Sequence, residues 1–585
     1  MRIYREYWKG RVAAALNTLL GEFAAEPIRP SQVIAEAPPQ PELGDLGFPL
    51  FTFAKRFRKS PASLAQAVVS ALDEARDETG DRYAALGPYV NVHLHRGRVA
   101  QDLFTVLLEE STPYGKPETL RGSRIMVEFS SPNTNKPLHL GHLRNDILGE
   151  SISRILTACG AQVRKVCIIN DRGIHICKSM LAYKEAGQGK TPQSEGVKSD
   201  HFVGDWYVRF HRMSLEDPQA EGRAQDLLRQ WEAGDEPTVE LWTRMNRWAV
   251  EGIKETYLRT GVSFDQYYFE SETYLKGKAQ VLKGLEQGLF YRDEEGAVWV
   301  DLSAQQLDKK VLLRKDGTSL YITQDIGTAI SRHEDWPFDR LVYVVGSEQQ
   351  YHFKVLFTIL GQFGFEWAKN LYHLSYGMVH LPEGKMKSRE GTVVDADDLL
   401  DRLKDLALQE IRDKGREDVL GDDREATAEQ IALGALHYYL LQGSPVKDML
   451  FNPQESLSFT GNTGPYLQYM GARISSLLHK ECEARTEGPG TVKPELLTCD
   501  AEWELIKTLA AYAEALAEAA ARMDPSLLAA YLYELSKAFS RFYHDCPILN
   551  APPDLAATRL ALARGVLRVL REALYLIGIP FLEMM

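Results

Sequence analysis

Asn133, Lys136, His139, Gly141 and His142 fall within ten positions of one another, in the run PNTNKPLHLGHLRN. The run leads from an apolar, strand-like stretch through a proline-interrupted turn into a helix that starts near His139. His139 and His142 then share the first helical turn and project on one side, while Gly141 removes a side chain that would keep a nucleotide base away. Two imidazoles at a helix N-terminus can hydrogen-bond triphosphate oxygens and stabilise charge that builds on an α-phosphate when a carboxylate attacks it. By itself the spacing is weak evidence, because paired histidines at this interval are more often structural or metal-binding. Far downstream, EGKMKSREGTVV sets Lys385, Met386, Lys387 and Arg389 in a glycine-bracketed loop. Its cations could close over a leaving pyrophosphate, where they matter most in the transition state. Taken alone it is an ordinary solvated charged loop, but the two motifs in this order, separated by an insertion, are far more specific than either.

The elements that must position these residues follow from periodicity. RIMVEFSS at 124 to 131 reads as a strand ending at the first motif. VRKVCII at 163 to 169 and LVYVV at 341 to 345 are further strands, each next to a helical stretch, and this alternation predicts a Rossmann-type parallel sheet. At the carboxyl end of such a strand a nucleotide is expected. Residues from about 185 to 300 are polar, tryptophan-rich and helical in texture, as an insertion between two halves of the sheet would be. The expected fold class is α/β multidomain: an N-terminal α+β domain over 1–115, the parallel-sheet core over 116–375, the cationic loop with a connecting region over 376–454, and an all-α bundle over 455–585. Ser60-Pro61 opens an amphipathic helix in the first domain. Before it, Phe53, Lys55, Arg56, Phe57, Arg58 and Lys59 interleave cations with aromatics, which suits RNA and equally suits an amphipathic helix with a solvated basic face.

A chain of 585 residues, 44% hydrophobic and 25% charged, can bury several cores, and no apolar run is long enough to cross a bilayer. The N-terminus MRIYREYWKG lacks the apolar stretch of a signal peptide, so export is not expected and the chain is placed in the cytoplasm. Its six cysteines show no C-x-x-C spacing and are expected to stay reduced, without zinc. A net charge of -13 argues against indiscriminate nucleic-acid binding while leaving room for a local basic surface.

Together, EFSSPNTNKPLHLGHLRN, DGTSLYITQDIGTA, VVGSEQQYHF and FTGNTGPYLQYMGARI resemble the class I aminoacyl-tRNA synthetases of the arginyl, bacterial type across essentially the whole chain. HLGH stands where that family has HIGH, and KMKSR where it has KMSKS. The resemblance implies ligation of L-arginine to tRNA(Arg) through an arginyl-adenylate, with AMP and pyrophosphate released and a first step that depends on bound tRNA. It implies Mg2+ carried by ATP rather than held in a protein cage, no membrane or DNA partner, and a monomer. ATP would lie against His139, Gly141, His142, Gly346, Met378, Val379, Lys385 and Met386. Arginine would meet Glu128, Ser130, Asn133, Tyr321, Asp325 and Gln349.

A planar guanidinium offers a fork of donors that a carboxylate meets at two points, so Asp325 and Glu128 are the candidates for it, with Tyr321 beside Asp325. Asn133 and Gln349 fall to the α-amino and carboxylate end. Without the resemblance, Asp325 is a helix N-terminal carboxylate. The resemblance implies that Tyr89 and Asn91 in GPYVNVHL belong to the part that meets the tRNA elbow. The resemblance likewise implies that Asn462, Tyr466, Gln468, Arg473 and Met585 belong to a helical domain that would grip the anticodon loop; NTGPYLQY reads equally as a buried interdomain hinge.

Two departures stand out. Ser388 occupies the place of the second lysine of KMSKS, and Lys136, just before HLGH, is positioned to supply the missing cation to the α-phosphate or leaving group. Arg172 in Asn170-Asp171-Arg172-Gly173 replaces a tryptophan of many relatives, with Asp171 a turn residue or a support for the HLGH helix. The competing readings are a nucleotidylyltransferase of the same fold, which would not need some 130 helical residues after the loop, and a non-catalytic RNA-binding relative, which would not need both histidines and the cationic loop.

Overall fold

The computed structural model describes residues 1–20, 26–75, 78–109, 114–380, 394–416, 421–484 and 490–585, the last four residues before 485 by their backbone alone. They divide into two compact units. The first takes 1–115, 473–515 and 531–571; the second takes 116–472, 516–530 and 572–585. The helical C-terminal stretch is thus shared between the units.

In the first unit Ser60 accepts a hydrogen bond from the Ser63 amide at 3.1 Å, and Pro61 fills the first position of helix Pro61–Glu74. Leu64, Val68 and Leu72 are buried on its inner face. The helix packs on an antiparallel sheet of β1 (Leu46–Pro49), β2 (Arg82–Leu86) and β3 (Tyr89–His93), ordered β1-β3-β2.

The second unit is built on β4 (Arg124–Glu128). Ile125, Met126 and Val127 are buried there, the continuous apolar run of a strand covered on both faces. β4 pairs in parallel with β5 (Gln162–Ile169), which pairs with β6 (Gln266–Phe269). Two short antiparallel ladders join β7 (Tyr291–Arg292), β8 (Val298–Val300) and β9 (Lys310–Leu313). β10 (Arg340–Gly346) then returns to the other side of β4, followed outward by β11 (Leu371–Tyr376), giving the parallel order β11-β10-β4-β5-β6. Chain direction reverses its march across the sheet at β4, which opens a crevice at the carboxyl ends of β4 and β10.

The helical insertion ends sooner than the sequence suggested. β6 lies inside the stretch assigned to it, because an edge strand of sequence QYYF, with only Tyr268 buried, carries no apolar run to announce it. β11 is the other edge and went unseen for the same reason. The insertion helices, Ser199–Glu216 and Glu236–Thr260 among them, enclose a core of their own around Tyr183, Phe202, Trp206, Phe210 and Trp248. Among the described residues no helix is long and apolar enough to cross a membrane.

Candidate active site

β4 delivers its carboxyl end to a tight turn in which Ser130 and Ser131 adopt φ of 74° and 53°. Left-handed backbone in non-glycine residues costs about 1–3 kcal/mol each and persists only where the surroundings enforce it. Asn145 enforces it here. Its Oδ1 accepts from the Ser130 amide at 2.6 Å, and its Nδ2 donates to the Val344 carbonyl at 2.8 Å and to the Tyr376 hydroxyl at 3.0 Å. One side chain of helix Leu140–Ala158 therefore ties together the ends of β4, β10 and β11. The helix can approach this closely because residue 149 is glycine: a Cβ there would meet Phe129 Cγ at 2.2 Å.

His139 caps that helix. Its Nδ1 accepts from the Gly141 amide at 3.1 Å, its own amide donates to His142 Nδ1 at 3.2 Å, and the two ring centroids are 3.9 Å apart. With both Nδ1 atoms used as acceptors, each neutral ring carries its proton on Nε2, leaving a pair of N–H donors at the positive end of the helix. Burial pushes His139 down to about 4, with Lys136 adding to the effect, and pushes His142 well down for the same reason. Burial also lowers Lys136. Gly141 is needed for close packing on His139, whose Cε1 would lie 2.9 Å from a Cβ at that position.

The segment after the cationic loop is fixed against this turn. Leu140 donates to the Val394 carbonyl at 3.2 Å and Ala396 to the Leu138 carbonyl at 3.0 Å, while Asp395 bridges His139. Before the loop, Val379 and His380 pair in parallel with Met449 and Leu450. Lys385, Met386, Lys387 and Arg389 themselves lie outside the described residues. A Cβ on Gly346 would stand 3.9 Å from Met378 Sδ, so those two expected nucleotide neighbours adjoin at the end of β10. Val379 is buried and offers only its backbone.

On helix Tyr321–Asp335, Tyr321 is 75% exposed and Asp325 half-buried, with Asp325 Oδ2 2.6 Å from His352 Nε2. Gln349 and Asn133 are exposed near the strand ends. Two expectations change. Glu128 is buried and paired with Arg332, which is itself enclosed between Tyr268 and Tyr343, so its charge is already met from within the chain. Ser130 is buried, with its hydroxyl 2.6 Å from that of Tyr257. The carboxylate that the sequence did not reveal is Glu270, buried at the start of helix Glu270–Glu286. Burial raises it to about 7; Arg172 opposes that, and Asp171 and Asp325 add to it. Arg172 stacks on Tyr274 at 4.1 Å and pairs with Glu232 at 3.0 Å, and Asp171 accepts from the Ser271 hydroxyl at 2.6 Å and its amide at 2.9 Å.

The family description "tRNA synthetases class I (R), catalytic domain" matches residues 103–453 of this chain. The arginyl tRNA synthetase N-terminal domain matches 6–94, and the DALR anticodon binding domain matches 467–585. The arginine–tRNA ligase of Treponema denticola is 62% identical over 585 residues, 99% of each chain, and that of Borrelia hermsii is 46% identical over 563 residues, 94% of each. The chain belongs to the arginyl-tRNA synthetases. The solved arginyl-tRNA synthetase of Thermus thermophilus shares its fold with a TM-score of 0.81 at 28% identity, over 99% of this chain and 100% of that one.

An arginyl-tRNA synthetase takes arginine, ATP and tRNA(Arg) as its substrates. Of the residues expected at tRNA, Tyr89 is half-buried beside the exposed ring of Phe51, 5.8 Å away edge-on. Asn91 is buried in β3, its Oδ1 3.3 Å from where a Cβ on Gly47 would be. Gln468 is fully buried and donates at 2.9 Å to the carbonyls of Gln430 and Pro580. Asn462 is exposed and accepts from the Tyr438 hydroxyl, Tyr466 is half-buried, Arg473 lies 4.2 Å over the Tyr543 ring, and Met585 is half-buried.

Proposed function

We propose that this chain joins L-arginine to tRNA(Arg) in two steps, with the adenylate formed in the crevice at the ends of β4 and β10. In the first step the arginine carboxylate attacks the α-phosphate of ATP in line and pyrophosphate leaves. In the second the terminal ribose hydroxyl of the tRNA attacks the adenylate carbonyl and AMP leaves. No covalent enzyme intermediate is needed, and positioning with charge stabilisation supplies the catalysis.

The observation that carries the reading is the pair of Nε2–H donors of His139 and His142 beside Lys136, at the start of a helix that issues from the central strand. Lys136 supplies the cation that Ser388 does not. Lys385, Lys387 and Arg389 act on the pyrophosphate side, and Gly346, Met378, Val379 and Met386 frame the adenosine. The guanidinium goes to Asp325 and Tyr321, with Glu270 beside them: a bound cation there favours the ionised form of a carboxyl that burial otherwise keeps partly protonated. Asn133 and Gln349 take the other end of arginine. Tyr89, Asn462, Tyr466, Arg473 and Met585 face tRNA(Arg). Mg2+ arrives with ATP, and the chain works as a monomer in the cytoplasm.

Arginine-dependent exchange of pyrophosphate into ATP, with and without tRNA(Arg), tests this. Exchange that requires arginine is expected; none with any tRNA present would exclude the enzyme.

A further inference from the structure

Helix Ser199–Glu216 of the insertion touches the turn before His139 directly. A Cβ on Gly204 would lie 2.8 Å from Pro137 Cδ and 3.7 Å from Lys136 Cα. At the start of the same helix, His201 faces the first turn of helix Ala396–Asp413. Asp395 caps that second helix with Oδ1, which accepts from the amides of Asp397 at 2.8 Å and Asp398 at 3.2 Å. Its Oδ2 is buried and lies 3.4 Å from His201 Nε2, and neither atom makes a regular hydrogen bond. Asp397 has other cations: Lys198 at 2.7 Å and Arg259 at 3.5 Å, with His201 at 3.6 Å. Among the described residues, His201 is the cation within ion-pair reach of Asp395.

The backbone of Asp395 is bridged to His139, and its neighbours Val394 and Ala396 hold Leu140 and Leu138. Displacing the Asp395 carboxylate therefore displaces the main chain that carries the adenylate-forming imidazole. Resting on the ligase reading above, we propose that protonated His201 is a positioning residue for adenylate formation, clamping the Asp395–Asp397 turn so that His139 keeps its place at the α-phosphate.

The same carboxylates and imidazole are not a metal site. Ligand atoms of Asp200, His201 and Asp397 lie within 4.8 Å of one another, but the Lys198 ammonium already sits on Asp200 at 3.1 Å and on Asp397 at 2.7 Å. The groups around His201 are Asp395 and Asp397 from one helix, Asp200, Asp205 and Lys198 from its own segment, and Arg259 and Thr256 from helix Glu236–Thr260. Their balance raises His201 to about 8, chiefly through Asp397, with burial opposing and Asp395 and Asp200 adding. A raised imidazole gives a contribution that is complete below the unfolded value near 6.5 and is lost as pH rises through about 8.

The test is arginine-dependent pyrophosphate exchange by the full chain with tRNA(Arg), followed from about pH 6.5 to 9. His201→Gln is expected to lower kcat about tenfold at neutral pH, to leave the KM for arginine within about twofold, and to lose the alkaline fall of the parent chain. His201→Lys, which stays charged, is expected to keep its activity through the pH at which the parent declines. A Gln variant with parental kcat and pH profile overturns the inference, as do Gln and Lys variants that are equally impaired. A parent chain that shows no arginine-dependent exchange overturns the ligase reading and this inference with it.

Discussion

Asp325 Oδ2 and His352 Nε2 stand 2.6 Å apart, joining the N-terminal ends of two helices that both begin at the carboxyl edge of the sheet. The imidazole holds one carboxylate oxygen, and the function proposed above gives the other to the guanidinium of arginine. Replacing the charge removes a charge-assisted hydrogen bond of about 1.5–3 kcal/mol, so Asp325→Asn is expected to raise the KM for arginine about 10- to 100-fold. His352→Ala should produce a smaller change in the same direction, with the KM for ATP unmoved. Equal changes in both KM values would remove Asp325 from the guanidinium.

Lys136 is half-buried beside the lowered imidazoles of His139 and His142, and its charge helps to lower both. Lys136→Ala is expected to slow single-turnover arginyl-adenylate formation about 100-fold, comparable with losing one preorganised donor, while arginine and ATP still bind. An unchanged rate would assign the α-phosphate to other residues.

His437 is buried against Gly578, where a Cβ would meet its Nδ1 at 2.4 Å, and burial lowers it to about 3. Its neutral form is the folded form. The unfolded chain takes up a proton near 6.5 that the folded chain refuses until about 3, so stability is complete above the upper value and drains away as pH falls between them. His139, lowered to about 4, acts in the same direction. Thermal unfolding should therefore occur at lower temperature near pH 5 than near pH 7.5, and His437→Leu should shrink the difference. A midpoint independent of pH across that interval would contradict the assignment.

Gly149→Ala places a methyl 2.2 Å from the Phe129 ring. The helix must shift or the ring must turn, at a cost of about 1–3 kcal/mol that a denaturant midpoint will read. Because the same helix carries His139 and Asn145, exchange activity should fall further than stability alone explains.

Gln468→Ala separates two roles for one residue. Loss of a buried side chain that donates to two carbonyls should destabilise the chain by about 1–3 kcal/mol, with no selective loss of tRNA affinity in the folded fraction. Weakened tRNA binding at unchanged stability would return it to the anticodon surface.

How far the sequence reached follows from what each residue's neighbours are. Lys136, His139, Gly141 and His142 lie within one turn, so their spacing singled them out once the cationic motif downstream was read with it. The central strands β4, β5 and β10 announced themselves as apolar runs, whereas β6 and β11 did not, because edge strands need bury only part of themselves. Glu270 escaped because the charges that act on it, Arg172, Asp171 and Asp325, lie in other elements, and proximity across elements leaves no spacing in the chain. Glu128 was visible as an acid at a strand end, but its neutralising Arg332, 204 positions away, was not. Asn91 and Gln468 were expected at tRNA from the resemblance; that both are buried was not legible, because a polar side chain does not advertise burial.

The pairing of β4 with β10 has a consequence for the chain's birth on the ribosome. The Arg124 amide and the Asp339 carboxylate that meet at the foot of these strands are 215 residues apart. At common elongation rates of 5 to 20 residues per second, roughly 10 to 40 s pass between the emergence of one and of the other. For that interval the inner strand has β5 on one flank and nothing on the other, so the site that will hold the nucleotide is half a crevice. Nascent chains halted before residue 340 should retain the β4 edge as a surface that chaperones recognise, and release it once β10 arrives.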